Sequence, residues 1–486
     1  MASGFRIYET MSRKLQVFEP VQKPTKGKKP KVRLYTCGPT VYNYAHIGNW
    51  RAYLWEDLLR RYLKFKGFDV IQVMNLTDVD DKTIRDSIKE GLPLKDFTEK
   101  YIKAFFEDLD KLNIERAEVY PRATDHIPEM IALIEVLLKK GIAYKTDDGC
   151  VWFSITKFPD YGALAHIDTT QLQAGASGRI LNDEYDKEQA ADFALWKGWD
   201  EGDGDVAWES PFGRGRPGWH IECSAMSMKH LTKAFKGGKF DQKGFETIDL
   251  HTGGVDNMFP HHEDEIAQSE AVTGKKFVKY WMHVEHLLVD NKKMAKSAGN
   301  FYTLRDLIAK GHDPRTFRYL IQSVSYHQKL NFTFEALGAA KEALKAIDDF
   351  ILNLGAAKAP ADCKELPSLL DKLESEFTAS MDDDLNTSPA FASIHIFMRD
   401  INRIHPKLSK KDAEKILVLF KRIDSVLGVM SFEREQAPKE LIDLADQRDE
   451  ARRKKDWKES DRLRDLITKA GWVVEDLPEG PRLKKV

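Results

Sequence analysis

The sequence predicts a doubly wound, Rossmann-type α/β domain on a parallel sheet, interrupted by an insertion and followed by an α-helical bundle and a small C-terminal α+β domain. Three observations carry that reading. A short apolar strand, a glycine-containing turn, an amphipathic helix and a second strand follow one another between Val32 and Met74, the way a doubly wound sheet opens. Strand patterning returns at Thr247–Leu250 and Trp281–Val289, on either side of a helical stretch. Beyond about Asn300 the pattern is almost purely helical up to Gly428, as in a bundle.

Taken in order, the chain up to Lys31 is polar and basic, with Lys23, Lys26, Lys28, Lys29 and Lys31 around two prolines. It reads as a solvated loop, or alternatively as a contact for an RNA backbone. Val32–Thr36 is a buried strand, and Cys37-Gly38-Pro39-Thr40 turns the chain. Trp50, Leu54, Leu58, Tyr62 and Leu63 recur at helical spacing, with Gly67 as C-cap, before the strand Val70–Met74. The stretch Phe97–Gly141 is helical in pattern. Asp148-Gly149, between Ala143–Thr146 and Val151–Ile155, predicts a tight hairpin. From about Phe158 to Arg216, glycine and aspartate with little periodicity suggest an insertion rather than core. A helix is expected from Pro260 to about Val272. The segment Phe432–Val486 reads as two charged helices and a short strand at Gly471–Val474.

Size and composition set bounds. At about 100–200 residues per domain, 486 residues make roughly three domains. The 31% of charged residues almost cancel to a net charge of −2, so a nucleic-acid partner would be met by local basic patches. No apolar run approaches the roughly 18 residues of a membrane span, and Met1–Lys14 lacks the apolar core of a secretory signal. A cytoplasmic protein is expected. Four cysteines (Cys37, Cys150, Cys223, Cys363) are too few for a disulfide framework in so long a chain. Cys150 and Cys363 read as small buried apolar residues.

Two short motifs suggest phosphate chemistry. His46-Ile47-Gly48-Asn49 stands at the entry to the first long helix, where free N–H groups and the helix dipole favour anions. Read alone, the four residues are better explained as a turn histidine. Lys293-Met294-Ala295-Lys296-Ser297 follows the last strand; two lysines three apart could close over a triphosphate and neutralise departing pyrophosphate, or simply be solvated. In this order, at the C-terminal ends of strands, the pair resembles the HIGH and KMSKS motifs of class I aminoacyl-tRNA synthetases. Asn49 stands for the second histidine and Ala295 for the first serine; the amide keeps a donor, and both lysines remain.

A third constellation joins Cys37, Cys223 in Gly218-Trp219-His220-Ile221-Glu222-Cys223, and His261 and Glu265, which at i and i+4 share one helical face. Two thiolates, an imidazole and a carboxylate suit zinc. Spacing alone leaves His262 nearly as good a ligand, and leaves open two buried cysteines beside an exposed acidic helix.

Over nearly the whole chain the sequence resembles the cysteinyl-tRNA synthetase family, in Tyr35–Asn49, Asn75–Lys82, Pro217–Met226, His251–Gln268 and Lys293–Asn300. The resemblance implies one Zn²⁺ on Cys37, Cys223, His261 and Glu265, selecting the substrate thiol, since zinc is thiophilic and a hydroxyl is a poorer ligand. Four protein ligands leave no position for substrate in a tetrahedral site, so Glu265 is expected to be the labile one. It further implies phosphate contacts from His46, Gly48, Asn49, Lys293 and Lys296, Mg²⁺ with ATP, and an amino-acid pocket of Gly38, Thr77, Trp219, His251 and Asp256. Bottom-up, Trp219 is equally ordinary core and Gly253-Gly254 a plain turn.

The implied domains are 1–115 with 216–300 as the two catalytic halves, 116–215 as an inserted acceptor-end segment, and 301–330 as a stem contact. Residues 331–430 would be a tRNA-binding bundle and 431–486 an anticodon-binding domain. The implied reaction joins L-cysteine to ATP as cysteinyl-adenylate, then passes it to tRNA(Cys), on a monomer. Bulk charge is silent on tRNA, for Leu441–Val486 holds twelve Lys/Arg against eleven Asp/Glu. Trp457 and Trp472 there are expected in the core rather than stacked on bases. Two alternatives stand beside this: a zinc- and ATP-dependent ligase joining cysteine to an amino sugar, whose members lack the C-terminal end, and an inactive zinc protein binding RNA, which would have lost the motif lysines.

Overall fold

The computed structural model describes residues 4–23, 27–167, 192–295, 298–432, 437–477 and 480–485. The chain divides into two compact units, 1–347 with 356–430, and 348–355 with 431–486.

The first unit begins with a hairpin, β1 (Arg6–Glu9) and β2 (Lys14–Val17), where the sequence suggested only a loop. The central sheet is built from β3 (Lys31–Thr36), β4 (Asp69–Met74), β9 (Ile248–Gly254) and β10 (Val278–Val284), in the order β10-β9-β3-β4 and parallel throughout. Buried on both faces, such strands read as apolar runs rather than alternation. From β3 the chain crosses to β4 through α1 (Ile47–Phe65), and from β9 it crosses the opposite way to β10 through α6 (Glu263–Thr273). The sheet therefore changes direction between β3 and β9. Right-handed crossovers put the two helices on opposite faces, leaving a crevice beyond the ends of these two strands, where open α/β sheets bind ligands. Gly67, at φ +91°, follows α1 as expected.

Several elements differ from expectation. The stretch Phe97–Gly141 is two helices, α3 (Leu94–Lys111) and α4 (Ile127–Lys139). Between them an extended link bridges to the β4 edge at Val73↔Val119 and Leu76↔Arg122. Before α3 lies an unpredicted α2 (Asp81–Glu90), started by a reciprocal capping box of Asp80 and Thr83 and stopped by Gly91 at φ +67°. The predicted hairpin, β5 (Ala143–Lys145) and β6 (Val151–Phe153), extends into an antiparallel sheet with β7 (Phe193–Gly198) and β8 (Gly215–Pro217). Phe193, Leu195 and Trp196 are buried there, so the stretch 158–216 carries core after all. Residues 168–191 of it lie outside the described residues. Helix α5 (Trp219–Leu231) was also unpredicted: ten of its thirteen residues are buried, and a helix covered on all sides shows no amphipathic period.

After β10 come β11 (Leu287–Val289) and β12 (Lys292–Lys293), a hairpin with β13 (Leu330–Phe332) alongside in parallel, one strand more than the helical reading allowed. The rest of the stretch to Gly428 is helical, as predicted. No helix of the described residues is long and apolar enough to cross a membrane.

In the second unit two helices, α13 (Lys439–Arg453) and α14 (Trp457–Lys469), pack on an antiparallel pair, β14 (Trp472–Leu477) and β15 (Gly480–Lys485). (Helices α7–α12, between Leu304 and Leu427, need no separate description.) Trp472 is in the core with Leu441, Ala445 and Ile467. Trp457 is not: it is 58% exposed at the start of α14, with the Arg452 guanidinium over its ring. An apolar surface that size at a helix start was mistaken for core because residue type, not position, decided the reading.

One buried acid in α1 makes a stability prediction. Burial pushes the Glu56 carboxyl up to about 8, against a small opposing effect of the Thr252 hydroxyl that donates to it. Its second oxygen has no hydrogen-bond partner. In the unfolded chain this group ionises near pH 4.5, so from there to about 8 the unfolded state binds fewer protons and stability falls as pH rises. Glu56→Gln should flatten that fall, raising stability at pH 8 by several kcal/mol at most (each pK difference of one is ~1.4 kcal/mol) and hardly at pH 4.5. Parallel melting curves for mutant and parent at both pH values would refute this.

Candidate active site

The crevice at the sheet's switch point is an open cleft of about 360 Å³, lined by residues from Cys37–Tyr44, the start of α1, Thr77, Trp219, Asp256 and the β12 lysine loop. His46 is the N-cap of α1. Its Nδ1 accepts from the Asn49 N–H at 3.1 Å, and the Asn49 Oδ1 accepts from the His46 N–H at 3.1 Å. Asparagine in place of a second histidine thus builds a reciprocal capping box. With Nδ1 committed as acceptor, and burial lowering the imidazole despite the opposing charge of Asp256, the neutral ring carries its hydrogen on Nε2. Gly48 is required, since a Cβ there would meet the Met294 side chain at 2.9 Å and the His46 ring at 3.0 Å.

Lys293 ends β12 at the mouth of the cleft. Asn300 brackets the loop beyond it, donating to the Lys293 carbonyl at 3.2 Å and accepting from the Ala295 N–H at 2.9 Å. The chain then returns to the α1 entry, where the Ile47 N–H donates to the Tyr302 carbonyl at 2.9 Å and His46 bridges to Thr303. The two motifs are therefore tied to each other through backbone. Lys296 and Ser297 lie outside the described residues.

At the inner end Cys37, Cys223, His261 and Glu265 converge, one donor atom of each lying within 4.8 Å of every other, all buried. Cys37 leaves β3, Cys223 projects from α5, His261 lies in the short helical turn Met258–His262 that leads into α6, and Glu265 lies in the first turn of α6. A second set, Cys37, His251, His262 and Glu265, meets the same distances. Hydrogen bonds distinguish the two. His261 Nδ1 lies 2.9 Å from His220 Nδ1, and His220 Nε2 lies 3.2 Å from the Asp264 carboxylate. A carboxylate only accepts, so His220 holds its hydrogen on Nε2 and takes one from His261 Nδ1, leaving His261 Nε2 as the atom that faces Glu265 Oε1 at 3.1 Å. That oxygen is buried without a hydrogen bond. His262 is committed elsewhere: Nε2 to Cys37 Sγ at 3.2 Å and Nδ1 to His283 Nε2 at 2.8 Å, with His283 Nδ1 reaching the Thr10 hydroxyl at 2.9 Å. The first set offers two sulfurs, a tautomer-fixed imidazole and an orphaned carboxylate oxygen, a donor set that fits zinc. His262 is an outer partner that orients Cys37.

The electrostatics agree. Burial raises the Cys223 thiol, but the hydrogen bond from Cys37 and the neighbouring His261 outweigh it and bring it down to about 6. Burial and the adjacent Cys223 push the Cys37 thiol well up. Burial lowers His261, yet Cys223 and Glu265 carry it up to about 10. One proton is shared over a site that prefers net negative charge, the condition in which a divalent cation replaces it.

The remaining predicted residues are placed as follows. Gly38 lines the cleft with its N–H on Asn75 Oδ1 at 2.8 Å, and a Cβ there would stand 1.8 Å from the Asn75 carbonyl. Thr77 lines it too, its hydroxyl accepting from the Asn75 amide at 3.1 Å. Trp219 is half-buried in the wall with its ring 4.3 Å from that of His261, and Asp256 is exposed at the rim. His251 does not line the cleft. It is buried behind Glu265, donating from Nε2 to Oε2 at 3.1 Å and stacked on Trp281. Sequence reasoning missed Thr10, His220, Asp264 and His283; the crowding of histidines in Trp219–Cys223 and Pro260–Glu265 was the available signal. Lys82 also lines the cleft, unforeseen.

Comparison with known proteins places these features in a family. Residues 23–342 match the model for the tRNA synthetases class I (C) catalytic domain, and residues 376–432 match the DALR domain. The cysteine–tRNA ligase of Protochlamydia amoebophila is 50% identical over 485 residues, covering 99% of this chain and 98% of the relative. That of Chlamydia muridarum is 47% identical over 493 residues, covering 99% of each. Among solved structures, Mycobacterium tuberculosis methionyl-tRNA synthetase in complex with methionyl-adenylate superposes with a TM-score of 0.57 at 14% identity, over 82% of this chain and 90% of that one. The leucyl enzyme of the Agrobacterium radiobacter K84 ternary complex reaches 0.59 at 12%, over 83% and 84%. At such identities the last two speak for the fold alone. Over its whole length, from the cleft to the C-terminal unit, the chain belongs to the cysteine–tRNA ligase family of class I tRNA synthetases.

Proposed function

We propose that the protein activates L-cysteine with ATP to cysteinyl-adenylate and transfers it to tRNA(Cys). The observation that carries this reading is the Cys37–Cys223–His261–Glu265 cluster at the inner end of a cleft whose mouth holds the His46–Asn49 cap and the lysine loop. A bound zinc would supply a thiophilic Lewis acid that prefers the substrate thiol to serine's hydroxyl. Held there, with Asp256 and Thr77 toward its ammonium, cysteine presents its carboxylate to the α-phosphorus of ATP. His46 Nε2–H, the Asn49 amide, Lys293 and Lys296 neutralise the charge that develops as pyrophosphate leaves, with Mg²⁺ on the polyphosphate. The work is positional and electrostatic, without a covalent enzyme intermediate. Transfer to the terminal adenosine of tRNA follows at the same site. In this reading the protein works as a monomer. Cysteine-dependent pyrophosphate exchange, measured with and without zinc, tests the reading; exchange that responds to other amino acids but not to cysteine would reject it.

In this reading residues 116–215 meet the acceptor end, 301–330 the stem, 331–430 the body of the tRNA, and 431–486 the anticodon. Similarity to cysteine–tRNA ligases through the last residues supports tRNA over an amino-sugar acceptor. The exposed Trp457 with Arg452 over its ring is a surface suited to a base. Removal of Phe432–Val486 should leave pyrophosphate exchange nearly unchanged while charging falls through a raised KM, with the gap to the full-length protein narrowing at high salt because the truncated protein has fewer phosphate contacts to lose. Equal charging by full-length and truncated protein would remove the tail from tRNA recognition.

A further inference from the structure

Helix α5 carries Cys223 near its start and a second histidine cluster near its end, about 10 Å along the axis. There His230 meets His126, the last residue before α4, with the two Nε2 atoms 2.8 Å apart. His126 Nδ1 lies 2.6 Å from the Arg122 carbonyl. A carbonyl only accepts, so this nitrogen holds the hydrogen and His126 Nε2 is a bare lone pair, the arrangement that outer partners impose on metal-binding histidines. His230 must supply the one hydrogen between the rings.

Glu129, three residues beyond His126, stands on the same side of the chain. One carboxylate oxygen is held by Lys229 at 2.6 Å, and the other is buried with no hydrogen-bond partner. The side chain is only 6% exposed, which makes an unpartnered oxygen costly. Its charge acts on both imidazoles, while burial lowers both, His230 to about 4. At neutral pH both rings are therefore uncharged and able to offer a lone pair. His230 is half-buried, leaving a path from solvent.

We propose that His126, His230 and Glu129 form a second metal site, separate from the cleft, for a first-row divalent cation such as Zn²⁺. The hydrogen of His230 moves from Nε2 to Nδ1, so both rings stay neutral and both Nε2 lone pairs turn to the ion. Two nitrogens on one tetrahedral zinc stand about 3.3 Å apart, so the rings need to part only slightly from 2.8 Å. Among the described residues, the only donor clusters already closed to 4.8 Å lie around Cys37 and Glu265; here the third ligand arrives when Glu129 turns its unpartnered oxygen inward, at the expense of its contact with the Lys229 ammonium. Two imidazoles and a carboxylate, with water completing the shell, suit zinc, cobalt, nickel or copper and disfavour magnesium and calcium. The bound ion would staple α4 to α5.

Titration of Co²⁺ into full-length protein loaded with one zinc per chain tests this. Expected are visible d–d bands that saturate at one added ion per chain and lack the thiolate-to-metal charge transfer that cobalt in the cleft would show. His230→Gln, whose amide can still donate to His126, should weaken this binding by more than about 10–100-fold, the loss that even an outer partner causes, while Cys223→Ala should leave it intact. Glu129→Gln should weaken it as well, and decides the matter if the first variant does not fold. Absence of bound cobalt in the parent protein, or equal binding by either folded variant and the parent, would overturn the proposal.

Discussion

Cys223→Ala is expected to strip the zinc and, with it, the choice of cysteine over serine. Cys223 is one of two sulfurs in the cluster, is 1% exposed, and is the thiol brought down to about 6. Alanine leaves one sulfur, one imidazole and a carboxylate whose free oxygen then faces His261 alone. A site that recognises a specific polar group rejects an analogue lacking it by about 10⁴–10⁵, whereas a merely shaped pocket manages about 10–200-fold. The ratio of cysteine- to serine-dependent pyrophosphate exchange should fall from the first range to the second, in step with the zinc content. Cys150→Ala is the control: that thiol is buried in the inserted sheet, accepting from the Gly198 N–H, and belongs to no donor cluster. Native protein without zinc, or a mutant that keeps both metal and selectivity, would break the link between the cluster and substrate choice.

Loss of a loop lysine should slow activation itself. In Lys293→Ala the Asn300 bracket survives, because it uses the Lys293 carbonyl and the Ala295 N–H, both backbone. What goes is the side-chain charge at the cleft mouth. One removed charge-stabilising group typically costs about 10²–10³ in rate, and Lys296→Ala should cost as much. Cysteine affinity should stay the same in both variants, since the thiol end lies at the opposite end of the cleft. Exchange at the parent rate in either mutant would assign the phosphate charge to other cations, with Lys82 the first to examine.

Much of this architecture was legible because local and global preferences coincide. Strands β3 and β4 are apolar runs followed by turn residues, and α1 keeps its period from Trp50 to Leu63. The zinc ligands could be assembled from residue chemistry and resemblance together. Where the reading failed, tertiary context decided. Helix α5 shows no amphipathic period, because its serines and glutamate are buried against other elements along with its apolar residues. Strand β7 was hidden in a glycine- and aspartate-rich segment because its partners lie forty residues upstream. His251 was expected in the pocket and is instead a support for Glu265, a distinction of one layer that sequence cannot draw. The choice between His261 and His262 rests on which ring nitrogen carries hydrogen, and that depends on His220, Asp264 and His283, brought together only by folding.

The β1–β2 hairpin has a consequence for the order of events on the ribosome. Its anchors are synthesised far later than the hairpin itself: the Thr10 N–H donates to the Trp281 carbonyl, and the Tyr8 N–H donates to Asp384, 376 positions on. At about 5–20 residues per second, that second partner arrives some 20–75 s after Tyr8 is added. A lone two-stranded hairpin is at best marginally stable in water. Through this interval the apolar side of the hairpin, Phe5, Ile7 and Phe18, all buried in the finished protein, lacks part of its cover, since Phe18 packs on Tyr280 as well as on Phe68. The hairpin thus waits for its place, and the His283–Thr10 contact beneath the cleft closes only when that wait is over.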